Sequence, residues 1–465
     1  MTTLDPVPGG RPGDVALAGE LSEQLASQGV AGVVLSWVDT AGINRIKAIP
    51  VTGLVSAVSW GVGMSPVFDT MLSDGSLVST DLAGGPQGDL RHFPDLDALV
   101  VLAAQPGWAW APIDRLTQDG EVHAGCSRSL LRRLVADLAG HGVTFRASVE
   151  IEFALGLSDA PPAQFEPACT GPAYGMTRLV EQSDFCADAL AALAEQGVDV
   201  HQLHPEYAAG QYEVSVGALD PVGAADRSVL VRQTLRAVAR NHGLLISFAP
   251  SVVAGGVGSG GHIHLSAWRD GENLHAVGDG PLGMTPYAQS FVAGIIAELP
   301  ALSALLSPSP SSYLRLLPSN WSGAYACWGH ENREAAVRLV AGMVGNRDRA
   351  ANVEIKSTDL AANPYLALAG LLAAGTSGVQ RSLPLGDPVD GDPAALSDAE
   401  RARLGIRRLP TDLSAAADAF EASPVLRQAL GDLLAGAVVA VRRGEVARVA
   451  EESPENVARA FRWVY

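Results

Sequence analysis

The chain has 465 residues, about half of them hydrophobic, which is enough for two ordinary domains or one large one with a substantial core. Its formal net charge of -18 argues against a nucleic-acid backbone as partner, because binding phosphates requires a surplus of cations. There is no unbroken apolar run of about 18 residues and no apolar core in Met1 to Gly13, which argues against a membrane span and a signal peptide.

In chain order, residues 1–14 read as a flexible lead-in. Val33 to Val38 is a buried strand by composition, Asp39 to Gly42 a turn, and Arg45 to Pro50 the return strand of a hairpin. Leu99 to Ala103 is a further short strand. Residues 107–126, with Trp108, Pro112, Asp119 and Gly120, read as a linker. The expected division is therefore 1–14, an N-terminal domain at 15–110, and a larger domain at 111–465. The cysteines Cys126, Cys169, Cys186 and Cys327 lack CxxC spacing, so free thiols in a reducing cytoplasm are expected.

Ser127 to Leu138 has Leu130, Leu131, Leu134 and Leu138 at helical spacing, with Gly140 as the stop. From Val143 to Phe153, apolar Phe145, Ala147, Val149, Ile151 and Phe153 alternate with Arg146, Ser148, Glu150 and Glu152, the period of one two-faced strand. Glu150 and Glu152 then point the same way and repel unless something positive sits between them. Residues 161–174 read as a loop, and Ser183 to Glu195 and Ala225 to His242 as helices. Gly210 to Gly217 repeats the strand pattern, with Glu213 and Ser215 on one face and His204-Pro205-Glu206 leading in.

Ala254 to Gly261 is glycine-rich but is followed by a strand, so it reads as a loop approaching a small ligand or phosphate, not a dinucleotide fingerprint. Next, His262, His264 and Ser266 share a face opposite Ile263 and Leu265. Ser312 to Arg338 carries Arg315, Arg333 and Arg338 among apolar residues, a setting for carboxylate or phosphate pairing or for structural salt bridges. Pro318 to Gly323, with Asn320 and Trp321, reads as a flap. In Asn352 to Lys356, Glu354 and Lys356 oppose Val353 and Ile355. Residues 383–398 read as loop, and the remainder as helical, with Ser423 and Ser453 opening the last segments.

Helices alternating with hairpin-like strands make an α+β fold, with helices backing an antiparallel sheet. Each polar strand face alone reads more simply as a solvated surface. Together they gather five carboxylates and a histidine, a donor set for hard divalent cations. Beside three arginines and a glycine-rich loop, that set fits phosphoryl transfer.

The motifs Glu150-Ile-Glu152-Phe, His204-Pro-Glu206 with Gly210-Gln-Tyr-Glu213, Gly258-Ser-Gly-Gly-His262-Ile-His264, Tyr313-Leu-Arg315, Asn332-Arg333 to Arg338 and Val353-Glu354 to Tyr365 resemble the glutamine synthetase family, bacterial type I. The resemblance covers nearly the whole chain. It implies an N-terminal β-grasp domain and a C-terminal catalytic domain with a curved antiparallel sheet, assembled as a dodecamer of two hexameric rings whose active sites are shared between subunits. It implies two or three Mg2+ or Mn2+ ions per site, one held by Glu152, Glu206 and Glu213 and another by Glu150, His262 and Glu354. Gly258 would touch glutamate, Arg315 would bind its carboxylate, and Arg333 and Arg338 the phosphoryl groups. His264, Ser266 and Arg349 would serve the nucleotide. The family reaction moves the ATP γ-phosphoryl to the glutamate side chain, and an amine then displaces phosphate.

Departures from the family pattern bear on the substrate. Ser65 stands where an ammonium-binding aspartate is expected, with Asp69 close behind it, and Trp321 stands where a flap glutamate is expected. Lys356 replaces an arginine beside the reacting glutamate, and Val257 an asparagine. Loss of both anionic groups resembles the γ-glutamyl-amine ligase branch, and an aromatic can meet an amine's alkyl body or its cationic end. The reading is an ATP-dependent ligase joining glutamate to a polyamine (putrescine, spermidine, spermine) or a small monoamine such as ethanolamine. An ordinary glutamine synthetase and a catalytically silent regulatory homologue stay open. No tyrosine lies between Tyr365 and Tyr465, so control by adenylylation is not expected.

Overall fold

The computed structural model describes residues 14–159 and 164–465; the lead-in before Asp14 and the start of the loop expected from 161 lie outside the described residues. Among the described residues the strands form three sheets. The first contains β1 (Gly32–Val38), β2 (Asn44–Pro50), β3 (Val62–Met64), β4 (Leu90–Pro94), β5 (Val100–Val101) and β6 (Trp108–Leu116). Their order is β2-β1-β6-β4-β3, with β5 beside β6. The β1–β2 hairpin forms as expected, and Asp39 closes its turn by accepting from Ile43 N at 2.9 Å and pairing with Arg45 Nε at 2.7 Å. Strands β1 and β6 run parallel. Helices Asp14–Ser27 and Leu54–Trp60 pack on this sheet through Ala18, Leu25, Leu54 and Val58 against Val33 and Leu35.

The stretch expected as a linker is largely β6, which pairs with β1, β4 and β5. Pro112 reads as a breaker, yet it sits where the pairing with β1 ends, and its carbonyl still accepts from Asp95 N at 2.9 Å. A proline at the limit of a ladder costs it no hydrogen bond.

The single strand expected from Val143 to Phe153 is two. β7 (Thr144–Val149) and β8 (Ile151–Leu157) belong to different sheets, and Glu150 is the residue between them. Both sheets turn apolar residues into one core containing Phe145, Val149, Ile151 and Phe153, so the alternation runs on across the break. In the second sheet β8 is joined by β9 (Val200–Pro205), β10 (Gln211–Val216) and β11 (Leu244–Ser247), in the antiparallel order β11-β8-β10-β9. The third holds β12 (Ile263–Arg269), β13 (Glu272–Asn273), β14 (Tyr325–His330), β15 (Ala335–Val340), β16 (Asn352–Ile355) and β17 (Arg407–Arg408). Its order is β13-β12-β16-β15-β14-β17, with β7 also paired to β12.

Helices Ser127–Gly140 and Ser183–Glu195 lie where their periodicity puts them. The next begins earlier than expected, as Pro221–Asn241, because Asp220 caps it by accepting from Val222 N and Gly223 N ahead of a proline in the first turn. Ser423 and Ser453 cap the helices Pro424–Leu430 and Pro454–Phe461. Helix Pro286–Leu306 is long and apolar enough to cross a membrane, but 67% of its apolar window is buried inside the protein. It packs closely on helix Pro364–Gln380 at Gly294 and Gly378, where an added Cβ would lie 2.3 Å from Ala374 O and 2.2 Å from Ser290 O.

A buried cation joins the first sheet to the rest. Arg128, 5% exposed, makes a two-pronged contact with Asp226 on helix Pro221–Asn241, at 3.0 and 2.8 Å. It also reaches Asp95, just past β4, at 2.8 Å and Asp114 on β6 at 3.2 Å. Burial disfavours its charge, but Asp226 and Asp114 outweigh that and raise its pKa. Arg128→Met strands these carboxylates and is expected to cost about 3–5 kcal/mol. The check is the urea-unfolding midpoint, and an unshifted midpoint would refute the joint.

Candidate active site

Strand register brings the acids together. Across the second sheet, Glu152 on β8 lies opposite Glu213 on β10, which lies opposite His204 on β9. Across the third, Ser148 on β7, His264 on β12, Glu354 on β16 and Arg338 on β15 form another row. Glu150, at the passage between the sheets, meets His262 Nδ1 at 2.9 Å and His264 Nε2 at 3.0 Å. His262 is also 3.3 Å from Glu354 and 3.8 Å from Glu152, so it bridges the two rows. Glu206, just past β9, lies 3.6 Å from His204.

A cavity of about 580 Å³ lies over these rows. Its walls include Glu150, Glu152, Glu206, Glu213, His262 and Glu354, the six residues expected to ligate metal. Gly258, Arg315, Arg333, Arg338, Lys356 and Trp321 line it too, and His264 stands against Glu150. Three expected residues are placed elsewhere. Ser266 is buried along β12 and accepts from Trp268 Nε1 at 2.8 Å. Arg349 is exposed on the short helix Arg347–Ala350, because the β15–β16 connection carries it outward. Ser65 caps the turn Pro66–Thr70 in the first sheet's connections, accepting from Val67 N at 3.2 Å. None of the three lines this cavity. Asp69, 2% exposed, has both oxygens engaged, by Arg115 at 2.5 Å and His123 at 2.6 Å.

The acids divide by the partners they own. Burial pushes Glu150 up, but hydrogen bonds from His262 and His264 win and hold it well below the usual carboxylate range. Burial likewise opposes ionisation of Glu354, yet Lys356 and the two histidines bring it down to about 2. Glu152 is raised by burial and by Glu213, although Gly260 N donates to it at 2.8 Å. Glu206 is raised by burial and by Glu152 and Glu213. His204 is pushed up to about 9, chiefly by its contact with Glu213. His264 is pushed up to about 9 against its burial, by Glu150 and Glu354. Ligand atoms of Glu150, His264 and Glu354 lie within 4.8 Å of one another, as do those of His204, Glu206 and Glu213. Both groups could hold a cation.

The cationic wall has spare donors. Arg315 Nη2 donates to Lys356 O at 3.0 Å and contacts His262 Nε2 at 3.1 Å, while its buried Nη1 has no hydrogen-bond partner among the described residues. Arg338 bonds Glu354 at 3.0 Å and Glu331 at 2.5 Å, and its buried Nε has no hydrogen-bond partner among the described residues. A buried donor left unmade costs roughly 1–3 kcal/mol, which an anionic ligand would relieve. The glycine-rich loop passes close by: a Cβ on Gly258 would lie 2.5 Å from Arg315 Cγ, and one on Gly260 2.5 Å from His262 Nε2.

Sequence reasoning misses several cavity residues. His204 has a signal, since it shares alternation with Glu206. Gln211, which donates to Gly258 O at 3.0 Å and Glu152 at 3.3 Å, has none. Tyr174 donates its hydroxyl to Glu206 at 2.6 Å from within the expected loop, and Tyr207 follows β9; both line the cavity.

Residues 124–460 match the family model "Glutamine synthetase, catalytic domain". The chain is 60% identical to the γ-glutamylpolyamine synthetase GlnA3 of Streptomyces coelicolor, over 100% of each chain. It is 29% identical to the glutamine synthetase of Methanocaldococcus jannaschii, over 91% of this chain and 93% of that one. Among solved structures, a novel glutamine synthase homolog superposes with a TM-score of 0.84 at 32% identity, covering 94% of this chain and 99% of the other. GmaS in complex with ADP superposes with a TM-score of 0.81 at 28% identity, covering 93% and 97%. With its acids, arginines and glycine loop gathered in one cleft, the chain belongs to the glutamine synthetase family of ligases.

Proposed function

We propose that this protein is an ATP-dependent ligase that activates the side-chain carboxylate of glutamate as γ-glutamyl phosphate and joins it to an amine, foremost a polyamine. The observation that carries the reading is the flap. Half-exposed Trp321 occupies the cleft wall where an ammonia-using site needs a carboxylate, while acids and arginines suited to phosphoryl transfer line the same cavity. Asp69 cannot substitute, because Arg115 and His123 engage it. The 60% identity to a γ-glutamylpolyamine synthetase supports the same conclusion.

In this reading Glu152, Glu206 and Glu213, and Glu150, His262 and Glu354, hold two or three Mg2+ or Mn2+ ions, with His204 and His264 beside them. Bound there, the ions neutralise the nucleotide phosphates and the charge on the transferring group. Arg315 takes the glutamate carboxylate with its spare Nη1. Arg333 and Arg338 face the phosphoryl oxygens, and Gly258 leaves room for glutamate against the loop backbone. A glutamate side-chain oxygen bonds to the γ-phosphorus and ADP leaves. The neutral amine nitrogen then attacks the acyl carbon, the carbon–oxygen bond to phosphate breaks, and the amine's extra proton is released to solvent. A ring-forming homo-oligomer, with a neighbouring subunit closing the site, accounts for the distance of Ser65 from its own chain's cavity. The division expected at 110/111 would cut β6, so in this reading it shifts to the segment between β6 and helix Ser127–Gly140. Four buried, unpaired cysteines suit a reducing cytoplasm.

Phosphate release from purified protein is expected to require glutamate plus an amine, with kcat/KM for putrescine, spermidine or spermine above that for ethanolamine, methylamine and ammonium. Preference for ammonium would make it an ordinary glutamine synthetase, and no turnover with any acceptor a silent homologue. Arg338→Ala is expected to lower kcat about 10²–10³-fold with the circular dichroism spectrum retained. Metal binding should carry a proton signature. Below pH 9 the imidazoles of His204 and His264 hold protons that an arriving cation must repel or displace, so Mn2+ affinity rises with pH up to about 9. Calorimetry in two buffers of different ionisation enthalpy reads the release, and a pH-independent affinity contradicts it.

A further inference from the structure

We infer that Tyr174, Tyr207 and Trp321 form an aromatic seat for the ammonium group at the far end of the amine, so that the site reads a second positive charge and not chain length alone. This rests on the reading of the chain as a glutamate–amine ligase.

The three rings come from separate segments: the loop before helix Met176–Glu181, the turn after β9, and the flap. They stand edge to face in series. Tyr174 and Tyr207 are 5.6 Å apart at 88°, and Tyr207 and Trp321 are 5.6 Å apart at 89°. All three line the cavity, yet they remain 53%, 46% and 50% exposed. His204 stacks on one face of Tyr174, at 5.5 Å and 29°; the faces left uncovered by that stack and by the edge contacts carry the negative end of the aromatic quadrupole.

The seat is built before any ligand arrives. Tyr174 and Trp321 hold left-handed backbone, at φ 55° and 52°, which a bulky residue adopts only when its surroundings over-determine it. Trp321 N donates to Glu334 Oε1 at 2.9 Å, and the Tyr174 hydroxyl donates to Glu206. Beneath them Arg178, 3% exposed, clamps backbone carbonyls of both loops: Gly171 at 2.7 Å, Glu206 at 2.5 Å, Ala208 at 2.6 Å and Tyr207 at 3.2 Å. Rings fixed this way lose little freedom on binding. Two carboxylates outside the expected metal sets stand by the flap: Glu334, and Asp392, which accepts from Ser319 Oγ at 2.6 Å. Burial, and to a lesser degree the neighbouring charge of Asp392, raise the pKa of Glu334. Ammonia and simple monoamines carry no second ammonium for such a seat to hold.

The test compares putrescine with butylamine, which share a four-carbon chain and differ in the terminal ammonium. The wild-type protein should favour putrescine. Trp321→Ala and Tyr207→Ala should each lower the putrescine-to-butylamine ratio of kcat/KM by about 2- to 30-fold. The loss should fall on KM for putrescine, with KM for glutamate and ATP held. Tyr207→Phe, which keeps the ring, should keep the ratio. Equal losses on both amines, or an unchanged ratio in both alanine variants, overturn the seat while leaving the ligase reading standing. Wild-type turnover of ammonium with neither amine overturns the ligase reading and the seat with it.

Discussion

Glu152 and Glu213 sit directly across from one another on neighbouring strands, a placement that like charges resist. Much of the cleft answers that repulsion. Gly260 N and the Gln211 amide donate to Glu152, His204 stands against Glu213, and His262 spans the gap to the other row. The outer row is better served, since Glu354 has Arg338 and Lys356 within reach. The imbalance is directional: cation-starved acids on the second sheet face cation-rich ones on the third. Each row offers a group of donors that could hold a cation, and the arginines stand on the third-sheet side, where an anionic ligand would meet them.

The passage of the backbone from one sheet to another at Glu150 makes this geometry possible. A single continuous strand would set Glu150 and Glu152 on one surface. With the break, they serve opposite walls of one cleft and yet are separated by one residue. Glu150 N donates to His262 O at 2.9 Å, so the same residue also ties the histidine segment to the junction. Covalent geometry and a backbone bond therefore hold the two walls together at this point, over the core that both sheets share.

How much of this is legible in the sequence depends on what alternation can carry. Period two says which side chains share a face, so Glu150, Glu152, Glu213, His262 and Glu354 are recognisable as a set. It does not say which strand lies beside which, and the row that includes Arg338 and His204 exists only through register. It cannot tell one sheet from two, which is why the break at Glu150 is hidden. Pro112 disguises β6 because a proline at the end of a ladder looks the same in sequence as one that ends a strand. Tyr174 and Tyr207 lie in irregular backbone, where no periodicity points anywhere. Ser266 and Arg349 illustrate the converse: matching a motif by position does not make a side chain reach the cavity.

Arg128 draws its counter-ions from both halves of the polypeptide, two from the first sheet and one from the helix beneath the second and third. A recombinant fragment starting after Leu116 would keep the guanidinium and Asp226 but forfeit Asp95 and Asp114. Gly42 tightens the same seam, with room for no more than a hydrogen, since a Cβ there would lie 1.9 Å from Ala361 O. The N-terminal portion is thus no detachable accessory. Shuffling it between homologues would demand that both sides of the seam travel together.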